Sequence, residues 1–268
     1  MRHSQDSEQI KARSSAIDHH HAEADRFVRW YEEMGKSRFA NAFGYGRAKI
    51  DRLLDGCFKE LRPGARVLDV GCGTGEYVRR ATELGFCASG VEPAEAMRKV
   101  AIEKNPNRTI ADGVATALPF PDGTFDIVVC IEVLRYLHRA DNRLALREMH
   151  RVLAPEGTLF LTSVNTYALD GFYLHYRLRR MFASESASAA LPHCEFTTPS
   201  GIDRELREAG FSSAVHHGVL FAPMRMLYKL STSLASRLAP ALEPIDDAIS
   251  LRRSMRAFAG HLVTIATR

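Results

Sequence analysis

A glycine-rich turn is the part of the sequence with the clearest chemical meaning. Residues 69–76 read Asp-Val-Gly-Cys-Gly-Thr-Gly-Glu and lie between a short apolar run and a helical pattern. Glycines let the backbone turn sharply and approach a ligand where a Cβ would collide, and the N–H groups of the following helix face that ligand. The carboxylates of Asp69 and Glu76 suit a ligand that carries an ammonium or sulfonium better than one rich in phosphate.

Two common nucleotide-binding patterns do not fit this turn. The dinucleotide fingerprint needs Gly or Ala three places after its second glycine, and Glu76 stands there. The phosphate-binding loop of nucleotide triphosphatases needs Gly-Lys-Ser/Thr after its glycines, and the sequence has no such continuation. The turn therefore disfavours a dehydrogenase and a nucleotide triphosphatase.

Short apolar runs alternate with amphipathic helical patterns around this turn. This rhythm is typical of right-handed crossovers and a parallel sheet with helices on both faces. We predict strands at 67–70, 87–91, 109–111, 125–133, 158–164, 211–221 and 261–267, with helices at 50–61, 76–84, 93–104, 143–153 and 199–210.

Composition sets broad limits on the protein. The chain has 268 residues, a formal net charge of +4 and 46% apolar residues, which is ordinary for a globular protein. Five dispersed cysteines without a Cys-x-x-Cys pair support neither a disulfide framework nor a zinc ribbon. No apolar stretch reaches the ~18 residues of a membrane-spanning helix, and the first residues lack a secretory signal. We expect a cytoplasmic protein, and the absence of a basic stripe predicts no nucleic-acid partner.

Five motifs in order resemble the class I S-adenosylmethionine (SAM)-dependent methyltransferases. The turn at 69–75 looks like motif I of that family. The likeness covers roughly residues 64–165, and 198–221 more loosely. The nearest kind is the type 11 group, akin to small-molecule enzymes of ubiquinone and menaquinone biosynthesis. The other motifs are Val91-Glu92-Pro93, Ala111-Asp112-Gly113, residues 118–126 and residues 151–157.

The resemblance implies a Rossmann-like, doubly wound α/β fold. Its sheet would have seven mostly parallel strands with the last strand antiparallel. We expect a frayed tail at 1–17, a helical cap at 18–63 and a SAM-binding domain at 64–268, with helical insertions at about 166–197 and 222–256. The insertions follow strands five and six.

The same resemblance implies SAM as the methyl donor, with S-adenosylhomocysteine as the product. Glu92 would bind both ribose hydroxyls, Asp112 with its two following residues would meet adenine, and Met97 would pack on that ring. Arg47, and more weakly Tyr31, would face the methionine carboxylate. The predicted cofactor-binding set is Tyr31, Arg47, Asp69, Gly71, Cys72, Gly73, Gly75, Glu92, Pro93, Met97, Asp112, Gly113, Val114 and Ile131.

Methyl transfer from a sulfonium needs mainly positioning and desolvation. A general base is needed only where the acceptor loses a proton. We place His175 first, because it lies in the insertion after strand five, and His138 beside it. No metal is predicted. The full set of candidate bases is His138, His175, His193, Glu195, His216 and His217.

Two departures from the family pattern and two alternative functions stay open. Glu132 fits the family's strand-end position, but Arg135-Tyr136 stand where relatives often carry His-His, and Glu156 replaces a usual glycine. We expect methylation of O, N or C in a small, apolar or aromatic acceptor. A macromolecular methyltransferase lacks its Asn/Asp-Pro-Pro-Tyr/Phe motif here, and a non-catalytic SAM-binding protein is the other alternative. The sequence predicts no oligomeric state.

Two apolar segments allow more than one interpretation. The aromatic and basic run at 172–180 fits either a lid over the acceptor or a packing helix with a solvated basic face. Residues 219–242 fit either peripheral contact with a membrane surface or packing between the core and the cap.

Overall fold

The computed structural model describes residues 37–169, 171–182, 193–252 and 255–268, together with eight single positions before residue 37. Tyr31 lies outside the described residues, as does most of the helix expected from residue 18. The tail and the first part of the cap therefore stay predictions.

The described strands form one mixed sheet. Their order is β3-β2-β1-β4-β5-β8-β7, and the short β6 pairs with the end of β5. β8 is antiparallel to both of its neighbours, whereas the other pairs are parallel. This confirms the predicted doubly wound sheet and adds β6, which the sequence did not predict. The strands are β1 (Arg66–Val70), β2 (Cys87–Val91), β3 (Thr109–Ala111), β4 (Phe125–Cys130), β5 (Leu153–Asn165), β6 (Phe196–Thr197), β7 (Ser213–Val219) and β8 (His261–Thr267).

Within the ranges described, eight α-helices accompany the sheet. They are α1 (Ala42–Lys59), α2 (Glu76–Glu83), α3 (Glu95–Lys104), α4 (Arg139–Val152), α5 (Phe172–Phe182), α6 (Pro199–Ala209), α7 (Ala222–Leu230) and α8 (Thr232–Leu251). Helix α6 begins as expected, because Thr198 accepts a hydrogen bond from the Gly201 N–H at 3.0 Å. It ends at Gly210, which has φ 107°.

Helix α1 begins earlier than the apolar pattern indicates. The side chain of Asn41 caps it by accepting from the Gly44 N–H at 2.8 Å. Gly44 and Gly46, which precede the apolar pattern, lie inside this helix. A Cβ at Gly46 would stand 2.7 Å from the Leu220 side chain, so glycine here permits close packing. Arg47 therefore lies within this helix.

The core lies on both faces of the sheet. One face packs β-strand side chains such as Val128 and Leu161 against α4 and α6. The other packs Val129 and Phe160 against α1 and α2. Each such fully buried side chain contributes about 1.5–3 kcal/mol. These two layers hold the carboxyl ends of the parallel strands in place, and the site lies there.

The segment 222–256 packs against the cap. Met224 and Tyr228 of α7 and two alanines of α8 form a small buried cluster with Tyr45 of α1. In the structure this segment therefore covers the start of α1, which favours packing over membrane contact. None of the described helices is long and apolar enough to cross a membrane.

Charged contacts also join α1 to α8. Lys49 is 3% exposed and forms an ion pair with Asp246. Tyr45 donates its hydroxyl to the same carboxylate at 2.9 Å. Arg52 contacts Glu243 at 2.6 Å. The cap helix and the insertion helix are therefore tied by both apolar and ionic contacts.

Candidate active site

The glycine turn has the tight geometry that the sequence predicts. Gly71, Gly73 and Gly75 have φ values of 71°, 54° and 79°, a region that L side chains rarely adopt. A Cβ at Gly71 would stand 2.4 Å from Val133 Cγ2, and one at Gly75 would stand 2.5 Å from Asn105 Nδ2. The chain therefore needs glycine at these two positions for close packing as well as for its turn.

Glu92 lies against this turn at the end of β2. Its side chain is nearly buried, at 6% exposure. Oε2 accepts from the Gly73 N–H at 2.9 Å and Oε1 from the Ala94 N–H at 2.8 Å. Burial raises the pKa of this carboxyl, and the two N–H bonds oppose that shift. A carboxylate can accept about four hydrogen bonds, so acceptor capacity remains for a ligand.

Asp69, in β1, is a second buried acid at this edge. It is 3% exposed, and among the described residues its Oδ2 has no hydrogen-bond partner. Burial raises the pKa of Asp69 to about 7, while the charge of Arg47 pulls it down. The Arg47 guanidinium lies 4.6 Å from the centre of the Tyr77 ring in α2. The structure thus brings α1, β1 and α2 together around one buried carboxyl with an unsatisfied oxygen.

The residues predicted to meet adenine lie after β3. Asp112 is exposed, and its carboxylate accepts from Arg98 Nη2 at 3.2 Å. Gly113 lies in a close approach, since a Cβ there would stand 3.1 Å from the Pro119 ring. Val114 is half-buried and bridges to Ala117. Contact between these residues and adenine stays a prediction.

Other predicted contacts are partly or wholly buried. Met97 is 1% exposed and packs with Ala94. Cys72 and Ile131 are also buried, and Cys72 Sγ would be 2.7 Å from a Cβ at Gly90. Pro93 is half-buried, and its carbonyl accepts from Arg98 Nη1 at 3.0 Å. Contact between these four side chains and a cofactor stays a prediction.

The two histidines ranked as bases lie apart. His175 is exposed on α5. His138 directly precedes α4, and its ring centre is 4.0 Å from that of His193. His193 Nε2 lies 3.5 Å from Glu195 Oε2 and 3.3 Å from the Leu137 carbonyl oxygen. His138, His193 and Glu195 could together hold a metal ion, since their ligand atoms lie within 4.8 Å of one another. Their mutual contacts also account for the group without an ion, by tying the segment before β6 to α4.

The two histidines of β7 are placed differently. His216 is buried and satisfied on both sides, with Nε2 2.8 Å from Asp203 Oδ1 and Nδ1 2.9 Å from Thr264 Oγ1. These contacts fix it between α6 and β8. His217 is half-buried, and burial lowers its pKa.

A polar cluster after β4 was only partly found from the sequence. Glu132 has φ 63°, which is uncommon for a side chain of its size. Its carboxylate contacts Arg135 at 2.9 Å, Thr162 at 3.1 Å and His261 at 3.5 Å. The sequence pattern indicates Glu132 but not His261, because His261 reaches this place through the pairing of β8 with β5 and no local pattern records that pairing.

Aromatic side chains line the edge beyond β5. Phe172, Tyr173 and Tyr176 of α5 pack around Phe196 of β6, with ring centres 5.1–5.6 Å apart. The Tyr176 hydroxyl accepts from the Cys194 N–H at 3.1 Å. One face of α5 is thus a packing face, while Leu174 and Phe182 are exposed at 61% and 78%.

Comparison with known proteins supports the class that this geometry indicates. Residues 68–161 match the family model described as a methyltransferase domain. A ubiquinone biosynthesis O-methyltransferase of Xanthomonas campestris is 27% identical over 248 residues, which cover 86% of this chain and 98% of that one. The enzyme of the same name from Azorhizobium caulinodans is 28% identical, over 76% and 84% of the two chains.

A solved structure shows the same fold. A SAM-dependent methyltransferase of Thermotoga maritima, described as a possible histamine N-methyltransferase, superposes with a TM-score of 0.58 at 19% identity, over 92% of this chain and 97% of that one. The matched domain and the glycine turn support the class I SAM-dependent methyltransferases, and the solved structure shows their fold. Within that class, this chain is similar over most of its length to O-methyltransferases of ubiquinone biosynthesis.

Proposed function

We propose that the protein transfers a methyl group from SAM to a small aromatic acceptor, at a hydroxyl oxygen. The observation that carries this proposal is the buried Asp69 carboxyl with one unpartnered oxygen, next to a glycine turn that also holds Glu92. A cationic ligand satisfies such an oxygen, whereas a pyrophosphate would be repelled by both acids. The relatives named O-methyltransferases support oxygen as the acceptor atom.

The cofactor residues divide by position along the strand ends. Glu92 would accept from both ribose hydroxyls while its bonds to Gly73 and Ala94 fix its orientation. Asp69 would face the amino group of the methionine end, and Arg47 would face its carboxylate, so that opposite charges meet. Asp112, with the two residues after it, would meet the adenine edge.

The protein's part in the reaction is mainly placement. Bound SAM supplies a methyl group already activated by its positive sulfur. Charge disperses as that methyl leaves, so a crevice that excludes water and holds donor and acceptor in line provides most of the acceleration. The buried strand ends and α1, which packs beside them, would form such a crevice.

The acceptor side has an apolar, aromatic character. The rings of Tyr173 and Tyr176 pack on Phe196, next to the end of β5. Offset or edge-to-face contacts with these rings would hold a flat aromatic acceptor. This supports an aromatic small molecule over a peptide or an RNA.

Calorimetry and a labelled-methyl assay test the proposal. We expect SAM and S-adenosylhomocysteine to bind, NADH to give no heat, and labelled methyl to pass to 3,4-dihydroxybenzoate. Glu92→Ala should weaken SAM binding about 10-fold or more, since charge-assisted hydrogen bonds contribute about 1.5–3 kcal/mol, whereas Glu103→Ala on the outer part of α3 serves as the matched control. Binding of NADH without SAM would overturn the cofactor. Transfer abolished by nuclease or protease treatment of a cell extract would overturn the acceptor class.

A further inference from the structure

We propose that His261 is the general base for the acceptor hydroxyl and that Glu132 orients and stabilises its ring. This inference rests on the proposed function and deepens it. It assigns the proton-accepting group to a histidine–carboxylate pair that none of the sequence motifs contains.

The pair lies at the correct edge of the sheet. His261 begins β8 and pairs with Val164, one residue before β5 ends. Glu132 follows the end of β4 by two residues. The next residue, Val133, packs on Gly71 of the glycine turn. The pair therefore lies where the carboxyl ends of β4 and β5 meet the cofactor crevice, on the acceptor side.

Glu132 is held from several directions. Arg135 Nη1 contacts Oε2 at 2.9 Å, and the Thr162 hydroxyl lies 3.1 Å from Oε1. The Glu132 N–H in turn donates to Thr162 Oγ1 at 2.7 Å. Burial by itself would raise the pKa of Glu132, but its contacts with His261 and Arg135 hold the pKa well below its usual range, so it stays ionised. Glu132 also has a positive φ, 63°. Such a strained backbone costs on the order of 1–3 kcal/mol and persists only where the surrounding contacts impose it.

The His261 ring is suited to take a proton. It is 7% exposed, and Nε2 lies 3.5 Å from Glu132 Oε1. In the part of the chain that the structure describes, Nδ1 has no hydrogen-bond partner although it is buried. Such an atom costs about 1–3 kcal/mol unless a ligand or water satisfies it. One ring nitrogen thus faces the orienting carboxylate, and the other is available to an acceptor.

The charged surroundings of the ring are of both signs. Glu132 and Arg135 face it from the segment after β4. From α7, Arg225 comes close to the neighbouring backbone, since a Cβ at Gly260 would lie 3.0 Å from Arg225 Nη1.

The proposed step balances as follows. The hydroxyl proton passes to His261 Nδ1 while the acceptor oxygen forms a bond to the methyl carbon. The carbon–sulfur bond breaks, and its electron pair stays on sulfur, which becomes neutral. The products are a methyl ether, S-adenosylhomocysteine and a His261 imidazolium paired with Glu132; water then removes the proton.

The two leading sequence candidates fit this role less well. His175 is exposed on α5, and His138 stacks on His193 at the start of α4. A base needs to be held within hydrogen-bond reach of the proton that it takes, and His261 combines a fixed ring with an oriented partner.

Kinetics of variants provide the main test. With 3,4-dihydroxybenzoate as acceptor, we expect His261→Ala to lower kcat about 100- to 10,000-fold while SAM affinity changes less than about threefold. Added imidazole should restore part of this activity. Glu132→Gln should lower kcat and move the acid limb of the pH–kcat profile. His150→Gln, in α4 near the start of β5, is the matched control and should leave kcat unchanged.

Each outcome has a defined meaning. A wild-type protein that binds no SAM refutes the proposed function. A wild-type protein that methylates the probe while His261→Ala keeps its kcat refutes the base. A folded His261→Ala protein that imidazole does not rescue shows a structural pair and also refutes it.

A measurement that needs no acceptor tests the assignment even if the wild-type protein binds SAM but does not methylate the probe. Nitrogen-15 NMR at pH 8 should show the His261 ring with its proton on Nε2 and a bare Nδ1, and Glu132→Gln should mix the two tautomers. A ring protonated on Nδ1 in the wild-type protein would overturn the assignment even if the probe is not methylated.

Discussion

The affinity for SAM should rise with pH because of one buried acid, and Asp69→Asn should remove that dependence. In the free protein, burial raises the pKa of Asp69 to about 7, so the group is largely protonated at pH 6 and largely ionised at pH 8. Only the ionised form attracts a cation. A cationic ligand beside Oδ2 would therefore displace the proton, and binding would release it.

The size of the effect follows from this pKa. About a tenth of the carboxyls are ionised at pH 6 and about nine tenths at pH 8, so Kd should fall about tenfold, or ~1.4 kcal/mol. The same group affects folding with the opposite sign. Its pKa is higher in the folded protein than its ordinary 3.8. The contribution of Asp69 to the free energy of unfolding is therefore fully present below about pH 4. It declines as pH rises through about 7, by up to roughly 4 kcal/mol.

Calorimetry at pH 6, 7 and 8 in buffers of different ionisation heat would measure both Kd and the protons released. Asp69→Asn should bind SAM more weakly with a flat pH profile after the titration of SAM's own amine is subtracted, and it should unfold at higher denaturant than wild type at pH 8. Asp112→Asn, an exposed acid, should keep the wild-type slope. A wild-type Kd that does not change with pH, or the same slope in Asp69→Asn, would refute the reasoning.

Three further predictions test other contacts. Gly71→Ala should abolish SAM binding and lower stability by about 1–3 kcal/mol, because its Cβ would meet Val133. Gly64 also has a positive φ, 73°, but lies in open space, so the control Gly64→Ala should keep SAM binding. Equal losses of melting temperature and of SAM affinity in the two variants would contradict this. Glu92→Gln should weaken SAM about 10- to 100-fold in calorimetry through its lost charge, and an unchanged Kd would remove the ribose contact. Lys49→Met should cost about 3–5 kcal/mol in urea unfolding, because it leaves a buried carboxylate unpaired, and a change within 0.5 kcal/mol would show that this pair is well solvated.

Local sequence patterns predict the bounds of some strands and the position of the glycine turn. β2 and β3 have the predicted bounds, and the glycine turn and Glu92 lie together as expected. Strand β4 ends at Cys130 rather than at residue 133, because the positive φ of Glu132 turns the chain. An apolar run does not record such a turn.

Other features depend on tertiary contacts and were missed for that reason. Helix α1 begins at Ala42 although Gly44 and Gly46 normally disfavour a helix, because Asn41 caps its first turn and Gly46 allows close packing on Leu220. β6 has two residues and forms only against the end of β5. His261 reaches the site through strand pairing alone, so no spacing in the sequence could have indicated it.

The ties between α1 and α8 have a consequence for how ligands enter. Arg47 and the ion-pairing Lys49 lie on the same helix, so a displacement of that helix away from the crevice must either carry α8 along or break a buried ion pair. We therefore expect α1 and α8 to move as one rigid unit. A rigid-body movement of both helices, rather than fraying of one of them, would then open the way for the donor and the product.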